Sequence, residues 1–273
     1  MTIPLELVAP AGLALVARGR GPDIVLVHGA LGDYRQWERI GRALDGGYRV
    51  IALSRRFHWP NTPPAGGVDY TYEAQSADLD TLLQSLGSPA HLVGHSYGAG
   101  VALLTALHRP ELVRSLILIE PPFGSLVAPS DPELASELAS RDAMLAAVRA
   151  SVQAGTAERA AETLVDWVQG SPGSFSRLPP AIQEGLRANA ATVGPTYATP
   201  APVVTCEQLR ELRLPVLVLR GERTRPFYRL VAAAAADCIP GAASAVIPAA
   251  RHMTIVENPG GTADLIARFI ARH

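Results

Sequence analysis

The sequence predicts an α/β fold, in which a mostly parallel eight-stranded sheet carries helices on both faces. Short apolar runs of strand length alternate with segments of helical periodicity along most of the 273-residue chain, as strand–helix–strand units require. The alternation stops over residues 123–206, which are alanine-rich and helical in pattern. A glycine-flanked serine, Ser96, stands where one apolar run ends and a helix pattern begins. These observations together predict a doubly covered sheet with a helical cap inserted after its sixth strand.

The strands are predicted from short apolar runs that end at turn residues. Two runs at the N-terminus, separated by Pro10-Ala11-Gly12, predict an opening hairpin. The run at 23–27 continues without a polar residue after Asp23, which is typical of a strand covered on both faces. The predicted strands are 5–8, 13–18, 23–27, 48–53, 90–93, 113–119, 214–220 and 243–247.

The helices are predicted from apolar residues at helical spacing. Asp33 is a suitable N-cap for a first helix that carries Trp37, Ile40 and Leu44. The other predicted helices are 71–86, 99–107, 132–154, 156–168, 227–238 and 259–271. The chain is therefore divided into a core, formed by residues 1–122 and 207–273, and a helical cap, formed by residues 123–206.

Composition limits the partners of this chain. The formal charge is −1 and 18% of residues are charged, so no basic field for nucleic acid is expected. The N-terminus has no basic leader, and prolines and a glycine interrupt its apolar residues, so we expect no signal peptide, no membrane span and a cytoplasmic protein. We expect a small-molecule substrate and a monomer or homodimer.

Cys206 and Cys238 are the two cysteines, and their spacing fits no metal or redox motif. A reduced, cytosolic setting is the default expectation for such a pair. They could form a disulfide only if the fold brought them together.

The segment Gly94-His95-Ser96-Tyr97-Gly98 has the G-x-S-x-G spacing of a nucleophile elbow. A serine on a sharp turn between a buried strand and a helix adopts a strained backbone, and only glycines on both sides let strand and helix approach. The turn lifts the hydroxyl clear of the sheet and places a helix N-terminus behind any oxyanion formed there. The alternative is a Gly-Ser turn without chemistry.

These residues, together with the His28-Gly29 loop and the late histidine of Arg251-His252-Met253, make the chain resemble the α/β-hydrolase superfamily. The resemblance covers nearly the whole chain and implies Ser96 as nucleophile and His252 as its base. It also implies an oxyanion hole formed by the backbone N–H groups of Ala30 and Tyr97. It implies no metal and no organic cofactor.

The acid of the triad is where the sequence departs from these relatives. They usually carry an aspartate shortly after the glycine that follows the seventh strand, but here Thr224 stands at that position. Glu120, at the end of the sixth strand, is the preferred candidate, because haloalkane dehalogenases and some lipases have the acid displaced to that strand end. Glu222 is the other candidate, and a Ser-His dyad is the third possibility.

Five side chains are candidates for substrate binding: His28, Arg55, Trp59, Trp167 and Tyr197. Arg55 and Trp59 follow the strand at 48–53, and ligands of such sheets bind at the carboxyl ends of strands. Arg55 or its neighbour Arg56 would meet an acidic substrate group, or else one arginine braces neighbouring loops. His28 orders its own loop in the alternative interpretation, whereas Trp167 and Tyr197 belong to the cap.

The function predicted from these residues is hydrolysis by acyl transfer of an ester, thioester or lactone of a small, apolar to moderately polar molecule. A serine at the elbow argues against the dehalogenases and epoxide hydrolases of the superfamily, which use an aspartate. Two alternatives stay open. One is a carbon–carbon bond hydrolase acting on a diketone, and the other is a non-hydrolytic lyase, cyclase or binding protein of secondary metabolism.

Overall fold

Eight strands form one sheet in the computed structural model, which describes residues 5–8, 12–61, 69–198 and 201–273. The strand order is β1-β2-β4-β3-β5-β6-β7-β8. The two strands of the N-terminal hairpin are antiparallel, and the six strands from β4 to β8 run parallel. The strands are β1 (Leu5–Val8), β2 (Ala14–Arg18), β3 (Asp23–Val27), β4 (Arg49–Leu53), β5 (Ala90–His95), β6 (Val113–Ile119), β7 (Val216–Gly221) and β8 (Ala243–Ile247). The predicted fold class is confirmed, and only residues 9–11 of the predicted hairpin lie outside the described residues.

The central strands are buried on both faces, as their apolar runs predict. Every residue of β3 and β5 is buried, and two separate hydrophobic clusters cover the two sides of the sheet. The register aligns Val27 with Gly94, and His95 with Ile119. Parallel pairing in this register brings the carboxyl ends of β3, β5, β6 and β7 to one edge of the sheet, where ligands of such folds bind.

Helices fill both faces and the segment between β6 and β7. The first predicted helix divides into a 3₁₀ turn (Tyr34–Trp37), capped by the Asp33 side chain, and a helix that begins at Glu38. Within the described residues, no helix is both long and apolar enough to cross a bilayer. The helices are α1 (Glu38–Leu44), α2 (Tyr72–Ser85), α3 (Tyr97–His108), α4 (Pro132–Gln153), α5 (Ala157–Val168), α6 (Pro180–Ala188), α7 (Val193–Ala198), α8 (Cys206–Arg210), α9 (Pro226–Cys238), α10 (Thr254–Glu257) and α11 (Pro259–Ile270).

A disulfide joins Cys206 and Cys238, so the expected reduced state is wrong for this structure. Cys206 begins α8 and Cys238 ends α9, and the packing of these two helices brings the Cα atoms to 5.1 Å. That separation lies within the range that a disulfide spans. A pairing across 32 residues follows from helix packing, which the cysteine spacing alone does not show.

Candidate active site

Ser96 lies on a strained turn between β5 and α3. Its backbone has φ +52°, in the left-handed region that non-glycine residues rarely adopt. A Cβ at Gly94 would overlap the carbonyl oxygen of Gly98, and a Cβ at Gly98 would overlap that of Val27. Both glycines are therefore required for the close approach of strand and helix, and the turn presents the serine hydroxyl at the carboxyl edge of the sheet.

The loop after β3 packs directly against the serine. A Cβ at Gly29 would lie 3.1 Å from the Cβ of Ser96, and Ala30 lines a cavity together with Ser96. Tyr97 follows the serine and is the first residue of α3. The N-terminal N–H groups of a helix lack intrahelical partners, and the main chain of the helix start and of the loop after β3 both lie next to Ser96.

His252 is held next to Ser96. The Ser96 hydroxyl donates to Nε2 of His252 at 2.9 Å, and the ring of Tyr228 stacks on the imidazole with ring centroids 4.0 Å apart. His95 also holds the main chain of this residue, because its Nε2–H donates to the His252 carbonyl oxygen at 2.9 Å. Burial lowers the pKa of His252, which favours the neutral imidazole that a general base requires.

Glu120 lies on the other side of His252. The Nδ1–H of His252 donates to Oε2 of Glu120 at 3.1 Å, and the Thr224 hydroxyl donates to the same oxygen at 2.6 Å. The backbone N–H of Gly221 donates to Oε1 at 2.6 Å. Burial raises the pKa of the Glu120 carboxyl, whereas the hydrogen bonds from Thr224 and Gly221 oppose that rise. Three donors on two oxygens fit the ionised carboxylate.

Thr224, which stands where the resemblance implied an aspartate, thus contacts the carboxylate that His252 contacts. Glu120 itself is fully buried and has φ +54°, a strained conformation of the kind that clusters at functional sites. Glu222 is exposed, and its carboxylate accepts from the N–H of Ala249. The structure therefore brings Glu120 to the histidine, and it places Glu222 in a surface turn.

Two cavities meet at Ser96. The larger has a volume of about 750 Å³ and is lined mostly by apolar and aromatic side chains, including Trp167, Tyr197 and Tyr228. The smaller has a volume of about 40 Å³ and lies among apolar residues such as Leu164, and Tyr197 lines this cavity too. Trp167 and Tyr197 therefore line the space beside the serine, and their role in substrate binding stays a prediction.

His28 and Arg55 have a different position from the one expected of substrate-binding residues. Of the described residues, those lining the two cavities at Ser96 include neither of them. The buried Arg55 guanidinium donates to the carbonyl oxygens of His28 (3.0 Å) and Gly29 (2.9 Å). His28 in turn accepts from the Arg55 N–H at 2.9 Å and donates to Gly29. Their polar groups brace the loop at Gly29, as the alternative interpretation of these residues expects.

Arg56 and Trp59 also lie away from the serine. Arg56 forms a two-pronged ion pair with Asp78, at 2.7 and 2.8 Å. Trp59 is 39% exposed, and the Arg35 guanidinium lies 3.8 Å from its ring centre. The Trp59 ring therefore packs against Arg35 and Tyr34 at the surface of the protein.

The loops around Arg55 contain buried neutral histidines, which predicts acid sensitivity. Burial, reinforced by the Arg55 charge, holds the pKa of His28 and His58 well below the usual histidine value. Below pH 6.5 these two histidines bind protons in the unfolded chain but stay neutral in the folded protein. The free energy of unfolding therefore falls as the pH falls. For two such groups, we expect a loss of up to about 3 kcal/mol per pH unit in the free energy of unfolding.

Urea unfolding between pH 7.5 and 5.0 measures this loss. Replacing His58 by Asn should make the dependence on pH shallower, whereas replacing the exposed His108 by Asn should leave it unchanged. A wild-type free energy of unfolding that stays constant from pH 7 to pH 5 would contradict the prediction.

Asn189 ties the inserted segment (residues 123–206) to the loop after β3. Its buried amide donates to the Asp33 carboxylate at 2.8 Å and to the Leu31 carbonyl oxygen at 3.3 Å. Its amide oxygen accepts from the N–H of Trp59 at 2.7 Å. One side chain of the insertion therefore holds two core loops, one of which packs against the serine.

Two further contacts tie the inserted segment to the loops of the histidine and the acid. Gln169 accepts from the N–H of Met253, next to His252, at 3.1 Å. Arg225, in the loop that holds Thr224, forms a two-pronged ion pair with Glu137 at 2.9 and 3.1 Å. Sequence analysis missed these residues and Tyr228, since their partners are distant in the chain and share no local pattern with them.

Comparison with known proteins gives the same fold over nearly the whole chain. A family model described as alpha/beta hydrolase fold matches residues 22–259. The 2-(acetamidomethylene)succinate hydrolase of Mesorhizobium japonicum is 26% identical over 93% of this chain and 89% of its own length. The solved structure of carboxylesterase CesB from Bacillus subtilis has a TM-score of 0.76 at 21% identity, covering 100% of this chain and 93% of that chain.

A third relative is more similar over a shorter region. The sn-1-specific diacylglycerol lipase ABHD11 of Mus musculus is 38% identical over 104 residues, which cover 36% of this chain. The match spans about a third (32%) of that relative's own length.

Proposed function

Because the chain belongs to the alpha/beta hydrolase fold family, we propose that it is a serine hydrolase that acts by acyl transfer through Ser96, His252 and Glu120. The observation that supports this most strongly is the continuous series of hydrogen bonds from the Ser96 hydroxyl to His252 at 2.9 Å and on to Glu120 at 3.1 Å. A serine hydroxyl is a weak nucleophile until a base takes its proton, and an imidazole held by a carboxylate is suited to this task.

In the proposed reaction, Ser96 Oγ attacks the substrate carbonyl carbon as His252 Nε2 takes the hydroxyl proton. Glu120 keeps the Nδ1–H tautomer of His252 and stabilises the imidazolium that forms. The backbone N–H groups of Ala30 and Tyr97 stabilise the oxyanion of the tetrahedral intermediate. His252 then protonates the leaving group, and water, activated by the same imidazole, releases the acyl group from Ser96.

The substrates we propose are esters, thioesters or lactones with one small group and one larger apolar group. This follows from the unequal cavities that meet at Ser96, of about 40 and 750 Å³. We also propose that residues 123–206 act as a cap over the core of 1–122 and 207–273, since α5 contributes walls of both cavities and α4 contributes a wall of the larger one.

The hydrogen bond between His252 and Glu120 favours this function over a lyase, a cyclase or a binding protein, which would not need an aligned base and acid. A carbon–carbon bond hydrolase would use the same three residues, so a diketone belongs in the substrate screen beside esters and lactones. The neighbours of Ser96 in the structure favour neither chemistry over the other.

Labelling with a fluorophosphonate tests the nucleophile without knowledge of the substrate. We expect intact-mass measurement to find one adduct on the wild-type protein and none on Ser96→Ala. A folded wild-type protein that admits the probe but forms no adduct would overturn the proposal. A Ser125→Ala variant is a suitable control, because Ser125 also lines the larger cavity but contacts Val204 instead of a base.

A further inference from the structure

The larger cavity contains an arginine that lacks a counter-charge. Arg141 lines the cavity that Ser96 also lines. Its Nε is buried without a hydrogen-bond partner, and within the described parts of the chain no carboxylate pairs with its guanidinium. Arg141 is partly buried, and a partly desolvated cation without a partner is stabilised by an anion. The surroundings of Arg141 therefore favour an anionic ligand.

Neighbouring side chains do not supply that anion. Glu137 stands four residues before Arg141 on α4, where such pairs normally form, but both of its oxygens are engaged by Arg225. The aromatic ring of Phe227 lies 5.7 Å from the Arg141 guanidinium carbon, which stabilises a cation without neutralising it. By contrast, the guanidinium of the buried Arg55 is surrounded by carbonyl and side-chain acceptors.

The position of Arg141 connects it to the reacting groups. Phe227 contacts Tyr228 edge to face, with ring centroids 5.1 Å apart, and Tyr228 stacks on His252 at 4.0 Å. The Arg141 charge also acts on Tyr197 and Tyr228, where it opposes the rise that burial causes in the pKa of each phenol. A ligand of moderate length in this cavity can therefore touch both Ser96 and Arg141.

The helix that carries Arg141 presents a second cation to the same space. Leu138, Arg141, Leu145 and Arg149 all line the cavity and recur at the spacing of three to four residues that defines one helix face. Arg149 is exposed, so it lies where the cavity meets solvent. Two cations along one wall make the interior attractive to negatively charged ligands.

We propose that Arg141 binds an anionic group, a carboxylate or a phosphate monoester, at the end of the substrate that lies away from the scissile bond. The proposed substrate is therefore an ester that carries a free anionic group. Its apolar middle lies against Phe227 and its anionic end lies at the Arg141 guanidinium. This assignment rests on the proposed function only in treating the bound anion as part of the molecule that Ser96 attacks. The anion site itself is independent of Ser96 chemistry.

Calorimetric binding of three non-hydrolysable ligands tests the site directly. The ligands are 4-phenylbutyrate, 3-phenylpropyl phosphate and the neutral 4-phenylbutanol, which share an apolar body. Charge-assisted hydrogen bonds to arginine predict that at least one anion binds wild type about 10-fold or more tightly than the alcohol. Arg141→Gln should remove that advantage and change the affinity for the alcohol less than about 3-fold. The tighter of the two anions identifies the carboxylate or the phosphate as the group.

Two variants serve as controls. Arg141→Lys keeps the charge and should retain part of the preference for the anion, and Arg159→Gln changes an exposed arginine on α5 and should have no effect. Equal affinity of wild type for the anions and the alcohol, or an equal loss of all three in Arg141→Gln, would overturn the inference. So would the absence of measurable binding by either anion.

A kinetic comparison separates this inference from the proposed function. Mono-p-nitrophenyl glutarate and p-nitrophenyl valerate differ mainly by the carboxylate at the end of the acyl chain. Hydrolysis of both esters without preference would leave Ser96 as nucleophile and overturn the anion site. Arg141-dependent binding of anions without hydrolysis or fluorophosphonate labelling would leave the anion site and overturn the serine hydrolase.

Discussion

Replacing Glu120 by Gln is expected to lower kcat by about 10³- to 10⁴-fold on any ester that the wild type hydrolyses. The amide preserves the size of the side chain but presents an NH₂ group or a weaker acceptor to Nδ1 of His252. The imidazole then loses the hydrogen bond that holds its Nδ1–H tautomer, and Nε2 is no longer kept free to accept the Ser96 proton. Steady-state kinetics of the purified variant measure the loss.

The matched control is Glu222→Gln, which should retain wild-type kcat because that carboxylate contacts the Ala249 N–H instead of the histidine. A large loss in Glu222→Gln with full activity in Glu120→Gln would reverse the assignment of the acid. A double variant, Glu120→Gln with Thr224→Asp, is expected to regain at least about 10-fold of the lost kcat. The Thr224 hydroxyl already contacts Oε2 of Glu120, so a carboxylate introduced there lies close to His252.

Replacing Gly98 by Ala is expected to destabilise the protein by more than about 3 kcal/mol or to prevent folding. The added Cβ would overlap the carbonyl oxygens of Val27 and His28. These are main-chain atoms at the end of a central strand, so the clash cannot be relieved by a rotamer change. The expected result is a lower urea midpoint and a loss of fluorophosphonate labelling, since α3 would have to move away from β3.

Gly46 provides the comparison for this substitution. It is an exposed turn residue with nothing within 4 Å of the added methyl group, and Gly46→Ala should change stability by less than about 0.5 kcal/mol. Equal stability of Gly98→Ala and Gly46→Ala would show that the elbow has room for a side chain, contrary to the geometry described above.

The elements that depend on local pattern could be predicted from the sequence. The elbow at Ser96 is recognisable because a Cβ at either flanking glycine would clash where the strand and the helix approach. The buried strands are recognisable from continuous apolar runs. β7 begins two residues later than predicted, at Val216, because Pro215 has no N–H to donate to the strand ladder. The position of Glu120 at a strand end makes it the preferred acid on sequence grounds, and its role as the acid stays a prediction.

Features that depend on tertiary contacts could not be predicted in this way. Arg55 follows a strand at the ligand-binding edge of the sheet, yet its guanidinium turns inward because the carbonyl groups of the loop after β3 accept from it. The contact of Gln169 with Met253 joins residues 84 apart, and that of Asn189 with Leu31 joins residues 158 apart. No periodicity or spacing carries information about such pairs. The disulfide between Cys206 and Cys238 belongs to the same class.

The three tethers at Asn189, Gln169 and Arg225 have a consequence for how relatives of this protein can diverge. Each tether joins the insertion to a different loop of the core, and none of the three side chains is among the described residues that line the larger cavity. Residues that line the larger cavity can therefore be substituted while these three contacts are kept. We expect a chimera with the insertion of another alpha/beta hydrolase to keep Ser96, His252 and Glu120 aligned only when the new segment restores these three contacts.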